Sequence, residues 1–186
     1  MNELGKHIRR VRGQTLSLLV MGLLLAGVAV PGASAVASVP RVAAVCTASL
    51  PINLSPGLQL LKATQGTNQS FGESGILNCI GTLDGLPIAG PGTIGFSGNY
   101  SGKCSGATGI GTWSFTIPVN DHGITELIQH SGTYSAPNVG VVLTFDGQFQ
   151  TGSLKGAGVV LASQGDCVLK PITKGTLPMV GVTLTQ

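Results

Sequence analysis

The sequence predicts an all-β fold: an antiparallel barrel or sandwich of about eight to nine strands, held by two disulfides. The first observation behind this prediction is the density of helix-breaking residues, with 29 glycines and 10 prolines among 186 residues. After residue 35, the longest stretch free of both is the ten residues 41–50, which is shorter than an average helix of about 11–12 residues. The second observation is that the runs between the breaks are rich in Val, Ile, Thr, Leu and aromatic residues, which favour strands. The third is an even number of cysteines, four in all.

Residues 1–35 are predicted to form an export signal. They have a cationic start, an apolar run at 16–30 and the small-residue cleavage pattern Ala33-Ser34-Ala35, in the order found in secretory signal peptides. The apolar run has 15 residues, fewer than the roughly 20 that span a bilayer. We therefore expect a secreted or envelope-associated protein with no stable membrane span after cleavage, and residues 36–186 as a single all-β domain. A retained N-terminal anchor is the alternative.

Most of the excess positive charge lies in the predicted signal. The whole chain has a formal net charge of +3, and four of its cations precede residue 35: Lys6, Arg9, Arg10 and Arg12. The rest of the chain has six Lys or Arg residues and six Asp or Glu residues, so its net charge is near zero. Because binding to nucleic acid draws on the release of counterions by clustered cations, nucleic acid is excluded as a partner.

The cysteines Cys46, Cys79, Cys104 and Cys167 all follow the predicted signal. An even count in an exported chain indicates disulfides formed in an oxidising compartment. Three pairings are possible, and we predict Cys46–Cys79 with Cys104–Cys167 because this pairing requires no crossing of the chain. The spacings of 33, 25 and 63 residues match no zinc pattern, so no metal is expected. Residues 90–95 match G-x-G-x-x-G, but the helix start that a phosphate cradle needs does not follow, so no cofactor is expected.

The short apolar runs predict nine strands, with loops at 64–75 and 84–92. The strands are expected near 43–50, 58–64, 76–83, 93–100, 110–119, 124–134, 139–150, 154–163 and 176–184. Alternation is clearest at 113–119 and at 139–145, where every second residue is apolar. Between them stand mostly threonine, serine and glycine. One apolar face and one hydroxyl-rich face is typical of a sheet with a solvated side.

The hairpin predicted at 110–134 contains both histidines that follow the signal, His122 and His130. With a four-residue loop at 120–123, Glu126 and His130 would face inward beside Trp113, in an apolar interior where pKa values shift and ligands are oriented. With a three-residue loop at 121–123, both would point to water. Because a slip of one residue exchanges the two faces of a strand, the loop length decides between these alternatives.

This hairpin supplies the candidate site residues. Trp113, Phe115, Glu126 and His130 are the candidate ligand-binding residues, and Glu126 and His130 are also the candidates for catalysis. The competing interpretation places Trp113 and Phe115 in the core. Burying Glu126 without a partner would cost several kcal/mol, which argues for the solvent-facing register unless His130 or a lysine pairs with it.

The export signal, the four cysteines and the segments 111–115 and 164–168 together resemble small secreted β-barrel or β-sandwich proteins of actinobacteria. The resemblance implies a bacterial source and no particular activity. The composition is also similar to that of the secreted enediyne-carrying apoproteins of the same bacteria. The nearest cysteines here are 25 residues apart, so the two small disulfide loops of those proteins are absent.

Two functions from different classes follow. The first is a non-catalytic exported β-barrel protein that binds a small apolar ligand or a cell-envelope partner. The second is an enzyme of the small-barrel cyclase or isomerase type, which would need Glu126 and His130 inside an apolar cavity. A secreted protease inhibitor is a third alternative, for which the loop near Cys104 is the candidate.

Overall fold

A computed structural model describes residues 41–70 and 75–186 of the chain. The predicted export signal and the first residues of the predicted domain therefore lie outside the described residues. In the part that is described, the chain is all-β, as predicted. Its eleven strands are β1 (Val42–Leu58), β2 (Thr64–Gln69), β3 (Gly75–Leu83), β4 (Leu86–Pro87), β5 (Gly92–Lys103), β6 (Gly106–Asp121), β7 (Ile124–Val139), β8 (Val142–Phe149), β9 (Gly152–Val159), β10 (Leu161–Gln164) and β11 (Ile172–Thr185).

All strands belong to one antiparallel sheet, whose order is β10-β11-β9-β8-β7-β6-β5-β2-β1-β3-β4. The sheet returns to its start because β1 also pairs with β11 along most of its length. Between β1 and β5 the two short strands β2 and β3 lie one after the other, each paired with both long strands. Because two short strands share the place of one, and because β4 and β10 are added at the margins of the sheet, the sheet is not a clean barrel.

Several predicted boundaries are wrong. Residues 59–63, within the predicted strand 58–64, do not form a strand, and β2 lies instead in the predicted loop 64–75. The polar segment 64–69 forms a strand because its backbone pairs on both sides, with β1 and with β5, and such pairing overrides a low intrinsic preference. The strand predicted at 139–150 is interrupted by a turn at 140–141, and the one predicted at 154–163 is broken at Val160.

The core follows the predicted alternation on β6. Trp113, Phe115, Ile117 and Val119 are all buried, and the threonines and serine between them are more exposed. The predicted alternation at 139–145 holds only at its end, where Phe145 is buried. Val139 and Val141 are exposed because the turn at 140–141 interrupts the strand before its inward face is established.

Both predicted disulfides are present. Cys46 and Cys79 are direct partners on β1 and β3, with their Cα atoms 4.0 Å apart. Cys104, in the turn between β5 and β6, is bonded to Cys167 in the loop before β11, with a Cα–Cα distance of 6.3 Å. Two disulfides indicate an oxidising environment. Within residues 41–70 and 75–186, we find no helix of the length and apolarity that crossing a bilayer requires.

The two faces of β3 give a matched test of the fold. Leu77 is fully buried and Ile80 is 86% exposed on the same strand. We expect Leu77→Ala to lower the free energy of unfolding by about 2–5 kcal/mol, because it leaves a cavity in the core. Ile80→Ala should change that free energy by less than about 0.5 kcal/mol. Urea unfolding monitored by tryptophan fluorescence measures both, and equal losses would contradict the assigned faces.

Candidate functional site

The β6–β7 hairpin has a register different from both predicted alternatives. Its loop has two residues, His122 and Gly123, so that Asp121 pairs with Ile124. Both loop residues have a positive φ, 52° and 91°, as a type I′ turn requires. The side chain of Asn120 accepts a hydrogen bond from the Gly123 N–H at 2.7 Å. Both predicted loops are longer than the observed one, and neither predicts a histidine in the left-handed conformation.

The observed register pairs Val119 with Glu126 and Phe115 with His130. Glu126 nevertheless is exposed. It lies near the tip of the hairpin, beyond Gly132, where the pairing of β7 with β8 ends. The carboxylate is therefore in solvent, which avoids the desolvation cost of an unpaired buried charge.

His130 is mostly buried and has a carboxylate partner. Its Nε2 atom lies 2.9 Å from Oδ2 of Asp84. The centroid of its ring lies 4.8 Å from the ring centroid of Phe149 and 5.4 Å from that of Phe115. The amide of Gln186 donates a hydrogen bond to the other oxygen of Asp84 at 2.6 Å. Asp84, in the β3–β4 turn, thus links strand β7 to the residue after β11.

Trp113 and Phe115 lie in the core. Their rings are stacked at 5.3 Å, and the indole N–H of Trp113 donates a hydrogen bond to the carbonyl oxygen of Gln148 at 3.2 Å. The structure thus brings Trp113, Phe115 and His130 together around Phe149 and leaves Glu126 apart from them. It does not place any of these four residues in the lining of the large cavity at the other end of the sheet.

This cavity of about 450 Å³ lies beside the Cys104–Cys167 disulfide. Most of its lining side chains are apolar and come from β1, β5, β7, β8 and the segment 160–162. The lining consists of Ile52, Leu54, Leu58, Asn68, Phe96, Tyr100, Cys104, Ala107, Gly109, Tyr134, Ala136, Asn138, Gly140, Val141, Leu143, Phe145, Val160, Leu161, Ala162, Asp166, Cys167, Ile172 and Leu177. Val141, Leu161 and Ala162 are exposed as well as lining, so the cavity opens to solvent on their side.

The cavity exists because the inward-facing side chains of β6 are small at one end of the strand and large further along it. Towards the cavity end they are Ala107 and Gly109, whereas Trp113 and Phe115 fill the interior further along. On β7 the partner of Gly109 is Ala136, which is also small. The side-chain amide of Asn68 lies so close that a Cβ atom at Gly109 would stand 2.6 Å from its Nδ2. The signal in the sequence that could have located the cavity, and that was missed, is this gradient from small to large residues.

Two tyrosines line the cavity with different hydrogen bonding. The Tyr134 hydroxyl donates to Oδ1 of Asn68 at 3.0 Å, and both side chains are buried. Burial raises the pKa of Tyr134 to about 12, because a desolvated tyrosinate is disfavoured. The buried hydroxyl of Tyr100 has no hydrogen-bond partner among the residues that the structure describes. A buried hydroxyl without a partner costs about 1–3 kcal/mol, so the hydroxyl of Tyr100 lowers the stability of the folded protein.

No protein-family model, curated protein or solved structure matches this chain. Within the described ranges, no three His, Cys, Asp or Glu side chains cluster as metal ligands would. The feature of the described residues that indicates a binding site is therefore the cavity.

The two tyrosines of the chain give opposite predictions for substitution by phenylalanine. Tyr134→Phe leaves the buried Oδ1 atom of Asn68 without its donor and should lower the free energy of unfolding by about 1–3 kcal/mol. Tyr100→Phe removes a hydroxyl that has no partner, so it should leave the stability of the ligand-free protein unchanged or raise it. Chemical denaturation of both variants checks this, and a large loss in Tyr100→Phe would contradict the absence of a partner.

Tyr134 also predicts a dependence of stability on pH. Its pKa is raised from the ordinary value of 10.0 to about 12 in the folded protein. The folded state therefore disfavours the tyrosinate, and the contribution of this group is full below about pH 10 and lost as the pH rises through about 12. The denaturation midpoint of the wild type should fall more steeply over this interval than that of Tyr134→Phe. Parallel curves for the two proteins would contradict the shifted pKa.

Proposed function

We propose that the protein is exported and that its β domain is a non-catalytic binding protein for one small, mainly apolar molecule. The observation that carries the proposal is the cavity of about 450 Å³ with its apolar lining. Its volume falls within the roughly 300–1,000 Å³ typical of small-molecule sites. Export is supported by the signal-like residues 1–35 and by the two disulfides.

The chemistry of the lining favours a neutral ligand with few polar groups. Asp166 is the one described lining residue with a formal charge at neutral pH, and its Oδ1 atom accepts hydrogen bonds from three backbone N–H groups. The hydroxyl of Tyr100 is itself buried, so it offers no polar contact to a ligand in the open cavity. A ligand with an apolar body would bury its surface against the apolar side chains of the lining.

The enzymatic alternative gains no support from the arrangement of its candidate residues. It required Glu126 and His130 to line one apolar cavity. Neither side chain is among the lining residues, and His130 is engaged with Asp84 at 2.9 Å. We therefore propose no second function.

The proposal predicts that a neutral apolar probe binds in the cavity. We expect N-phenyl-1-naphthylamine to bind once per chain with a dissociation constant in the range of about 1–100 μM, because burial of its rings offsets the cost of association. Ala136→Phe should fill the interior and Ala162→Trp the mouth, since both alanines line the cavity. Each should raise the dissociation constant about tenfold or more. Probe fluorescence measures the titration.

The matched control is Ala157→Phe, because Ala157 is exposed on β9 and does not line the cavity. It should bind the probe like the wild type. Circular dichroism confirms that each variant is folded, and the mouth variant remains informative if Ala136→Phe does not fold. Absence of saturable binding to the wild type, or equal affinity in all variants, would overturn the proposal.

A further inference from the structure

The loops around the cavity mouth form one connected surface. The Cys104 N–H donates to the carbonyl of Gln59, the Gly140 N–H to that of Ser105, and the Val160 N–H to that of Val141. Cys167 is bonded to Cys104 and lies with its sulfur 3.7 Å from the carbonyl oxygen of Leu58. We call this surface the rim and define it by the segments 59–62, 103–105, 139–142, 159–161 and 165–170.

The rim exposes large apolar side chains around an apolar cavity. Nine of the described exposed large hydrophobic residues belong to it: Leu60, Leu61, Val139, Val141, Val142, Val159, Leu161, Val168 and Leu169. Leu61 and Leu169 are 86% and 85% exposed. A contiguous apolar surface of this kind marks an interaction site rather than the scattered exposure found on any protein.

The loop that carries Val168 and Leu169 is held in place by specific interactions. The carboxylate of Asp166 accepts hydrogen bonds from the backbone N–H groups of Val168, Leu169 and Lys170 at 2.8–3.0 Å. These donors, that of Lys170 foremost, hold the pKa of Asp166 below its ordinary value. The backbone N–H of Cys167 donates to the carbonyl of Lys170 at 2.9 Å, and the disulfide fixes Cys167 to the β5–β6 turn. The apolar side chains are thus presented to solvent by an ordered loop.

Charge on the described part of the chain is divided between the two ends of the sheet. The rim carries the exposed lysines Lys62, Lys103 and Lys170, and its one carboxylate is that of Asp166. The opposite end carries three carboxylates, and Arg41 is the cation there. Those carboxylates are Asp84, at the β3–β4 turn, Asp121, at the tip of the β6–β7 hairpin, and Glu126, just after it. Two further lysines belong to neither group: Lys155, on β9, is paired with Asp146 at 3.1 Å, and Lys174, on β11, is exposed.

We propose that the rim docks on the surface of an anionic lipid bilayer, with its apolar side chains in the interface and its lysines beside the lipid headgroups. Apolar residues mixed with cations are the composition that binds at such an interface. A second copy of the chain fits less well, because a two-fold contact would bring the lysines of both copies together. The inference rests on the proposed function, since docking would place the cavity mouth where an apolar ligand is exchanged with the lipid.

Co-sedimentation with vesicles tests the proposal. The purified protein is mixed with vesicles of phosphatidylcholine alone, or with phosphatidylglycerol as about one third of the lipid. We expect strong recruitment to the anionic vesicles, weak recruitment to the neutral ones, and release at high salt. Reversing one rim lysine, as in Lys62→Glu, should weaken binding about fivefold or more. The control Lys155→Glu, outside the rim, should lose much less.

The apolar side chains are tested with the double variant Leu61→Asp/Leu169→Asp, which should lose binding about tenfold or more. Its control is Ile80→Asp, since Ile80 is as exposed as Leu61 but lies on β3, outside the rim. Equal recruitment by both vesicle types, or equal losses in rim and control variants, would overturn the docking proposal.

Titration with N-phenyl-1-naphthylamine separates this proposal from the proposed function. Neither Leu61 nor Leu169 lines the cavity, so the double variant should bind the probe like the wild type. Probe binding without vesicle binding by the wild type would overturn docking alone. Absence of probe binding would overturn the proposed function.

Discussion

The pairing of β1 with β11 is the constraint on which the rest of the structure depends. It runs from Val42 opposite Thr185 to Leu58 opposite Ile172 and joins the beginning of the described domain to its end. Along this seam the buried residues Leu50 and Leu177 face each other. Without this pairing, β1 and β11 would be edge strands with unpaired backbone groups. The buried side chains on their inward faces would then become exposed to solvent. Because these contacts join strands at opposite ends of the described domain, they are of the long-range kind that makes β proteins fold slowly.

Closure of the sheet produces two different interiors from one set of strands. In the half nearer the β6–β7 turn, Trp113, Phe115 and Phe149 fill the space with interlocking rings. In the other half, Ala107 and Ala136 leave space open. Since the backbone spacing between paired strands is fixed at about 4.7–4.9 Å, the number of strands sets the circumference of the closed sheet, and small side chains inside it leave volume unfilled. The cavity therefore results from the small size of these side chains. The aromatic cluster borders it through Phe145, which packs against Trp113 and lines the cavity.

Much of what the sequence predicts depends on neighbouring residues, and much of what it misses depends on pairing between strands distant in the sequence. The burial of Trp113 and Phe115 follows from strict alternation, and the disulfide partners follow from the order of the cysteines. The strand status of 64–69 could not be predicted, because its polar residues are held by two strands distant in the sequence. The hairpin register turned on one local detail, the positive φ of His122. The cavity could have been anticipated from the small inward residues of β6, once the strand was placed opposite Ala136.

The two disulfides act on different parts of this arrangement. Cys46–Cys79 joins neighbouring strands that are already paired along six residue positions, so it reinforces existing order. Cys104–Cys167 joins a turn to a loop across a separation of 63 residues, where backbone pairing is sparse. Closing a longer loop removes more entropy from the unfolded chain, and the bond fixes the segment that carries Val168 and Leu169. The second disulfide therefore allows an apolar loop to remain ordered in solvent beside a cavity, a state that the hydrophobic effect alone would oppose.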